Sequence, residues 1–175
     1  MSIQNEIKCS WDGWFQKCVL PVDPAHQNDS VDTVIQLMLN QQLGVLPLID
    51  DHGVFCGVVK SNDLMRWSIV PISSFITHVN KVPDLCGAAD HFFRYANDLC
   101  AKEVMVQDDN IVVNPQMNTS QIFFIFSKIS SDELFVIDSD RKLQGIISRT
   151  NFLRIYSLFA ETHKKNQQIK HHQSA

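Results

Sequence analysis

A chain of 175 residues can form one ordinary domain or two small domains that share a core, and its hydrophobic content of 45% is typical of a packed globular protein. The formal net charge of −4 argues against a dedicated nucleic-acid binder, which would usually carry a basic patch. No stretch approaches the roughly 18 uninterrupted apolar residues of a membrane span, and the N-terminus lacks the apolar core of a signal peptide, so we expect a cytoplasmic protein that contacts no membrane.

The first half of the chain predicts a strand followed by a helix. Residues 20–22 form a short apolar run, and the helix begins near Ser30. Its apolar residues lie three and four positions apart, which gathers them on one face: Val31, Val34, Ile35 and Met38. Asp29 or Ser30 can cap the start of the helix, because their side-chain oxygens accept from amides of the first turn, and Gly44 suits its end.

Two further strands and a turn follow this helix. Val45–Ile49 and Val54–Val59 are apolar runs on either side of Asp50–Gly53, whose Asp and Gly residues favour a tight hairpin. Farther along the chain, one apolar stripe steps by four and three residues: Leu85, Ala89, Phe92, Ala96 and Leu99. This spacing predicts an amphipathic helix that packs on the core or forms a subunit interface. The aromatic residues Trp11, Trp14 and Phe15 precede the first strand and are expected to cover the core or a dimer contact.

The second half of the chain repeats the first. Residues 50–64 return as residues 138–152, with a turn, a glycine, two β-branched residues, a polar trio and an Asp or Asn in the same order. Upstream, residues 20–24 are mirrored by residues 111–115, and the first copy has three extra residues between its proline and its helix. Each copy therefore predicts the order strand, helix, strand, strand, helix start.

The second copy has an arginine in its hairpin turn and three phenylalanines in its predicted helix. Arg141 stands where the first turn has Gly53, so we expect a different backbone shape there. Phe123, Phe124 and Phe126 lie on a helix that is apolar on most sides, so we expect them to be buried against the sheets rather than to stack on a ligand.

Each half resembles a CBS domain, and the whole resembles the tandem CBS pair called a Bateman module. The resemblance rests on Leu46–Asp50, Gly53 and Gly57–Leu64 in the first half, and on Val104-Met105, Leu134–Asp138 and Gly145–Phe152 in the second. It implies an α+β fold of two β-α-β-β-α units packed about a pseudo-twofold axis. The implied divisions are an N-terminal segment (1–18), CBS domain 1 (19–66), a connecting segment with the amphipathic helix (67–103), CBS domain 2 (104–158) and a polar tail (159–175).

The resemblance also implies a regulatory module that forms a homodimer and binds an adenosine-containing ligand between its halves. The family's ligand motif is a glycine, two apolar residues, Ser or Thr, two variable residues, then Asp or Asn, and Gly145–Asn151 matches every position. A strand end beside a helix start favours an anion. Ser148 and Arg149 would then contact phosphate, and Asn151 would contact ribose. By the same resemblance, Ile146 would flank the base and backbone groups near Ile111 would read its edge. Plain helix capping is the alternative role of Ser148 and Asn151.

The first copy of the motif departs from the pattern at one position. Val58 stands at the place of Ile146, and Asp63 can accept from a ribose, but Lys60 replaces the Ser or Thr. Lys60 could pair with phosphate as a point charge, or its long side chain could fill the cleft and exclude the ligand. Both readings remain open on the sequence.

The sequence contains no pattern typical of an enzyme or of a metal site. The five cysteines form no C-x-x-C pair, which suits reduced thiols better than a disulfide framework, and none has a recognisable base nearby. The adjacent histidines His171 and His172 lie in the polar tail, so we predict no catalytic residue, metal or cofactor.

Two functions remain. The first is a sensor of a nucleotide of the AMP, ADP, ATP or S-adenosylmethionine class that passes its state to a protein partner. The second is a ligand-free scaffold that acts through dimerisation and docking, which Lys60 and Arg141 favour as departures from the pattern.

Overall fold

The computed structural model describes residues 14–66, 98–158 and 160–161. The predicted helix over residues 85–99, apart from Asp98 and Leu99, lies outside these ranges, as do Trp11 and the histidines of the tail. In chain order the elements are α1 (Trp14–Cys18), β1 (Ala25–His26), α2 (Val31–Gln41), β2 (Val45–Ile49), β3 (Phe55–Lys60), α3 (residues 61–66), α4 (Ala101–Val104), a 3₁₀ turn (Asp109–Ile111), β4 (Val112–Val113), α5 (Thr119–Lys128), β5 (Glu133–Ile137), β6 (Leu143–Ser148) and α6 (residues 149–158).

The chain divides into two compact units, each with one repeat and a short segment from elsewhere in the sequence. The described part of the first-repeat unit is residues 22–66, 98–109 and 139–143. The described part of the second-repeat unit is residues 14–21, 110–138, 144–158 and 160–161. Neither unit is therefore a continuous stretch of the chain.

The first-repeat unit is built on the sheet β1-β2-β3, in which β1 is parallel and β3 antiparallel to β2. Leu46 lies opposite Val59, and Leu48 lies opposite Gly57. Because every second residue of a strand faces the same side, Leu46 and Leu48 lie on the same face of the sheet. The core of this unit joins the sheet to the helices and consists of buried apolar side chains, among them Ala25, Val34, Leu46, Leu48, Val59, Leu64 and Ala101.

The second-repeat unit has the same plan, with the sheet β4-β5-β6 and β4 parallel to β5. Val113 pairs with Val136 as Ala25 pairs with Leu48 in the first copy. Its largest fully buried side chains include Phe135, Ile122, Leu134 and Ile147. The predicted α+β fold with two β-α-β-β-α repeats is confirmed.

The start of α2 is confirmed, whereas its predicted end is wrong. Ser30 is the N-cap, and its Oγ accepts from the Thr33 amide at 3.2 Å. The helix ends at Gln41, and Gln42 takes the left-handed conformation at φ 55°, a role usually given to glycine. Gly44 lies beyond the cap, where its carbonyl accepts from the Ser61 amide at 2.9 Å.

The predicted first strand at residues 20–22 is also wrong, because the strand lies at Ala25–His26. The N-caps Ser30 and Asn118 lie equally far beyond the paired residues Ala25 and Val113, so the three extra residues between Pro24 and α2 do not lengthen the connection from strand to helix. The apolar run misled the prediction because Leu20 pairs with a different strand, β6. An apolar run indicates burial but not the partner.

Both hairpin turns have a left-handed residue at the corresponding position, contrary to the expected change of backbone conformation at Arg141. Arg141 has φ 59° and Gly53 has φ 71°. A left-handed conformation costs a side-chain-bearing residue about 1–2 kcal/mol. Hydrogen bonds inside the first-repeat unit offset that cost, since the Arg141 carbonyl accepts from the Phe55 amide at 2.8 Å and its guanidinium donates to the Phe55 carbonyl at 3.3 Å.

The expected burial of the α5 phenylalanines holds only for Phe126. Phe126 is 5% exposed, whereas Phe123 and Phe124 are 52% and 62% exposed. Ile122 and Phe126 lie four residues apart on the buried face of α5, and the next positions rotate away from it. Phe123 instead lies beside the rings of Phe152 and Tyr156, at centroid distances of 6.3 and 6.2 Å.

Two smaller observations complete the fold. Phe15 is buried in the second-repeat unit. Within the described ranges, no helix has the length and apolar character that a membrane span requires.

Candidate functional site

The second-copy motif, Gly145–Asn151, turns from β6 into α6. A segment from the start of the chain lies against it, because the Leu20 amide donates to the Ile146 carbonyl at 2.8 Å and the Ile146 amide donates to the Leu20 carbonyl at 2.9 Å. Sequence reasoning did not find Leu20 as a neighbour of the motif. The only signal was the apolar run that was read as the first strand.

Gly145 is required by the close approach of that segment. Its φ is +145°, and a Cβ built on it would lie 2.4 Å from the Leu20 carbonyl oxygen and 2.8 Å from Cγ1 of Val19. No side chain fits there without moving the backbone. The glycine of the motif therefore has a packing role as well as any role near a ligand.

Ser148 lies at the joint of β6 and α6, half-buried, with its hydroxyl group at the start of the helix. Its Oγ accepts from the Asn151 amide at 3.1 Å, which is the geometry of a helix cap. Because the oxygen acts as the acceptor there, the hydroxyl proton remains to be donated elsewhere. The helix N-terminus and this donor together favour an anionic partner.

Asn151 is buried, at 6% exposure, and both ends of its side-chain amide are bonded within the second-repeat unit. Nδ2 donates to the Cys18 carbonyl at 3.1 Å, and Oδ1 accepts from the Arg154 guanidinium at 2.7 Å. The ribose contact of Asn151 stays a prediction, and it would require Arg154 to release Oδ1.

Arg149 is bonded to the segment between α5 and β5. Nε donates to Oδ1 of Asp132 at 3.0 Å, and the guanidinium lies over the Phe126 ring at 5.1 Å from its centroid. The other nitrogens donate to three carbonyl oxygens, those of Phe126 at 2.8 Å, Ile129 at 3.0 Å and Ser131 at 2.7 Å. Its phosphate contact remains a prediction, and this anchoring role was not found from the sequence.

The apolar candidates of the second-repeat unit lie in its interior. Ile146 is 5% exposed and Ile111 is 2% exposed. Their predicted contacts with a base stay predictions.

The first-copy motif is likewise paired with an incoming segment, in the first-repeat unit. The Val58 amide donates to the Val106 carbonyl at 3.0 Å, and the Val106 amide donates back at 2.9 Å. A Cβ on Gly57 would lie 2.8 Å from the Val106 carbonyl oxygen. Val58 is 1% exposed and Asp63 is half-buried, and both remain candidates on the sequence alone.

Lys60 is engaged within its own unit. Its Nζ lies 2.5 Å from Oδ2 of Asp108, in an ion pair whose side chains are 30% and 19% exposed. An ammonium bonded to a carboxylate offers less charge to an incoming phosphate than a separate one.

The described cysteines Cys18, Cys56 and Cys100 are free thiols. Burial raises the pKa of Cys18 to about 11, and burial is also the main cause of the raised pKa of Cys56. A nucleophilic cysteine needs a lowered pKa, so these two have the opposite setting. Within residues 14–66 and 98–158, no group of three His, Cys, Asp or Glu side chains could hold a metal ion.

The sequence pattern of the CBS domain matches residues 20–70 and 101–158, which together exceed half of the chain. The chain belongs to the CBS domain family. Because the pattern matches twice, this protein is a CBS pair, as the repeat predicts.

Known relatives agree with this assignment. The CBS domain-containing protein CBSX2, chloroplastic, from Arabidopsis thaliana is 28% identical over 134 residues, a match of 71% of this chain and 54% of the relative. The chain therefore spans about half the length of that curated relative.

Solved structures share the fold. A crystal structure of CBSX2 in complex with AMP matches with a TM-score of 0.60 and 22% identity, over 82% of this chain and 96% of the other. CbpB in complex with c-di-AMP matches with a TM-score of 0.62 and 14% identity, over 86% and 89% of the two chains.

Proposed function

We propose that this CBS pair is a regulatory module that binds an adenosine-containing nucleotide through its second-copy motif. The observation that carries the proposal is Ser148, whose Oγ accepts the Asn151 amide and so leaves its proton for a phosphate oxygen at the start of α6. Two proteins of the same fold are known in complex with AMP and with c-di-AMP, which supports the adenosine class.

Regulation follows if the nucleotide binds two arrangements of the protein with different affinities. The coupling to a protein partner equals that difference, typically 1–3 kcal/mol, and is reciprocal. In this proposal the protein is a cytoplasmic homodimer that needs no cofactor, catalyses no reaction and contacts neither nucleic acid nor a membrane.

The test is isothermal titration calorimetry of the purified protein with AMP, ADP, ATP, S-adenosylmethionine, NAD and c-di-AMP, each alone. Thermal unfolding with the same compounds is the second measurement. A ligand at 100 times its dissociation constant adds about 2.7 kcal/mol of stability, which raises the melting temperature by about 5–10 °C in a chain of this size. Ser148→Ala removes a hydrogen bond to a charged group, so we expect an affinity about 10–100-fold weaker.

The matched control is Thr150→Ala, which removes an exposed hydroxyl two residues farther along the chain, in the first turn of α6. It should leave the affinity within about twofold of the parent, since Thr150 is at a variable position of the motif. The proposal fails if none of the six compounds binds, or if the Ser148 and Thr150 variants bind equally well.

A specific observation favours the scaffold as the second candidate. The polar ends of the Asn151 side chain are bonded to Cys18 and Arg154, and Arg149 is bonded to the segment after α5. If these bonds persist, the motif serves the fold alone. Absence of nucleotide binding together with a stable homodimer in sedimentation would favour this candidate.

A further inference from the structure

The two motifs share the pairing of an incoming segment and differ in a side chain that bears on phosphate binding. In each, an incoming segment pairs with the residue after the glycine, through Leu20 and Ile146 in one unit and Val106 and Val58 in the other. In each, a Cβ on the glycine would collide with that segment. The side chains that follow the glycine differ between the motifs, and one of these differences bears directly on phosphate binding.

The decisive position is Ser148 in the second copy and Lys60 in the first. Ser148 presents a neutral donor. Lys60 presents an ammonium whose charge is already balanced by Asp108, at 2.5 Å, in a setting where the carboxylate is only 19% exposed. Screening by water is reduced for such a partly buried pair.

A phosphate at the first-copy motif would meet the Asp108 carboxylate as well as the Lys60 ammonium. The negative charges of the phosphate and of the Asp108 carboxylate repel each other. If Lys60 moved to the phosphate, its ion pair with the half-buried Asp108 would be broken. We infer that the Lys60–Asp108 ion pair closes the first-copy motif to phosphate, so that each chain takes one adenosine nucleotide. The stoichiometry rests on the proposed function, whereas the closing role of Asp108 can be tested separately.

Removing the Asp108 carboxylate should therefore add a nucleotide-binding site. Asp108→Asn keeps the size of the side chain and removes its charge, which leaves the Lys60 ammonium to a phosphate oxygen. Lys60→Ser with Asp108→Asn restores the hydroxyl of the family motif without a neighbouring charge. We expect either change to open a second site.

The experiment is isothermal titration with AMP of the wild type, Asp108→Asn, and the control Asp109→Asn, which removes the charge of the adjacent, exposed carboxylate. We expect one AMP per chain for the wild type and for Asp109→Asn, and two for Asp108→Asn. Adding Ser148→Ala to Asp108→Asn should weaken one of the two sites about 10–100-fold and leave the other unchanged. Circular dichroism checks folding, and the Lys60→Ser, Asp108→Asn variant replaces Asp108→Asn if the latter does not fold.

The outcomes separate this inference from the proposed function. Two AMP per wild-type chain would overturn the inference and leave the function standing. No AMP on the wild type but one on Asp108→Asn would support the inference and overturn the proposed site at Ser148. Equal stoichiometry in wild type and both opened variants would overturn the inference.

Discussion

At the scale of single residues, the motif glycine shows how closely backbone segments approach in this fold. Gly145 leaves no room for a Cβ beside the Leu20 carbonyl, and its φ of +145° disfavours any L side chain. Gly44 offers the opposite case, because among the described residues its Cβ would meet only Oγ of Ser61, at 3.9 Å. The same glycine-to-alanine change should therefore have different effects at the two positions.

We predict that Gly145→Ala lowers the free energy of unfolding by about 3 kcal/mol, through backbone strain and the displaced Leu20 segment. In a chain of this size the melting temperature should fall by about 6–12 °C. Gly44→Ala should change the free energy by less than about 1 kcal/mol. Urea unfolding of both variants measures the difference, and equal stability of the two would contradict the close approach.

At the scale of secondary-structure elements, Arg149 fastens the end of α5 to the start of α6. The carbonyls of Phe126, Ile129 and Ser131 lie at or beyond the last turn of α5, where a helix leaves its carbonyl groups without internal partners. A planar guanidinium can reach several of them at once, and a lysine ammonium cannot do so with the same geometry. Replacing Arg149 by lysine should therefore destabilise the protein, although the positive charge is kept.

We predict that Arg149→Lys lowers the free energy of unfolding by about 2–3 kcal/mol, since carbonyl acceptors lose a charged donor. Arg154→Lys is the matched control, because Arg154 is exposed and has one hydrogen bond, to Asn151, that a lysine can also donate. Thermal unfolding with circular dichroism compares the two exchanges. A loss of stability no larger for Arg149→Lys than for Arg154→Lys would refute the fastening role.

At the scale of the whole molecule, each repeat is completed by residues far away in the chain. Residues 14–21 belong to the unit of the second repeat, and residues 139–143 belong to the unit of the first. Leu20 supplies two backbone hydrogen bonds to Ile146, and Cys18 supplies the carbonyl that Asn151 bonds. Disturbing the beginning of the chain should consequently destabilise its end.

We predict that Leu20→Pro lowers the free energy of unfolding by about 2 kcal/mol, because proline cannot donate to the Ile146 carbonyl. Leu20→Ala keeps both backbone hydrogen bonds and is the control for the lost side chain, which is 36% exposed. Hydrogen exchange of the Ile146 amide should be faster in the proline variant alone. Equal exchange rates in the two variants would show that the segment does not pair with β6 in solution.

The sequence by itself determined the start of α2 and the strand β2, because their causes are local, whereas it misplaced β1. The spacing of Val31, Val34 and Met38 fixed one helix, the Ser30 hydroxyl capped it, and the apolar run Val45–Ile49 became β2 within the same bounds. The repeat showed two similar units, and the family and its α+β fold followed from the resemblance of each unit to a CBS domain.

Only the tertiary structure decided the partners of those residues. Leu20 pairs with Ile146, Lys60 with Asp108, and Arg149 with the carbonyls after α5. In each case the two partners are well separated in sequence and are brought together by the packing of the chain. Periodicity and capping act over a few residues, whereas an ion pair or a strand pairing depends on where distant backbone segments meet.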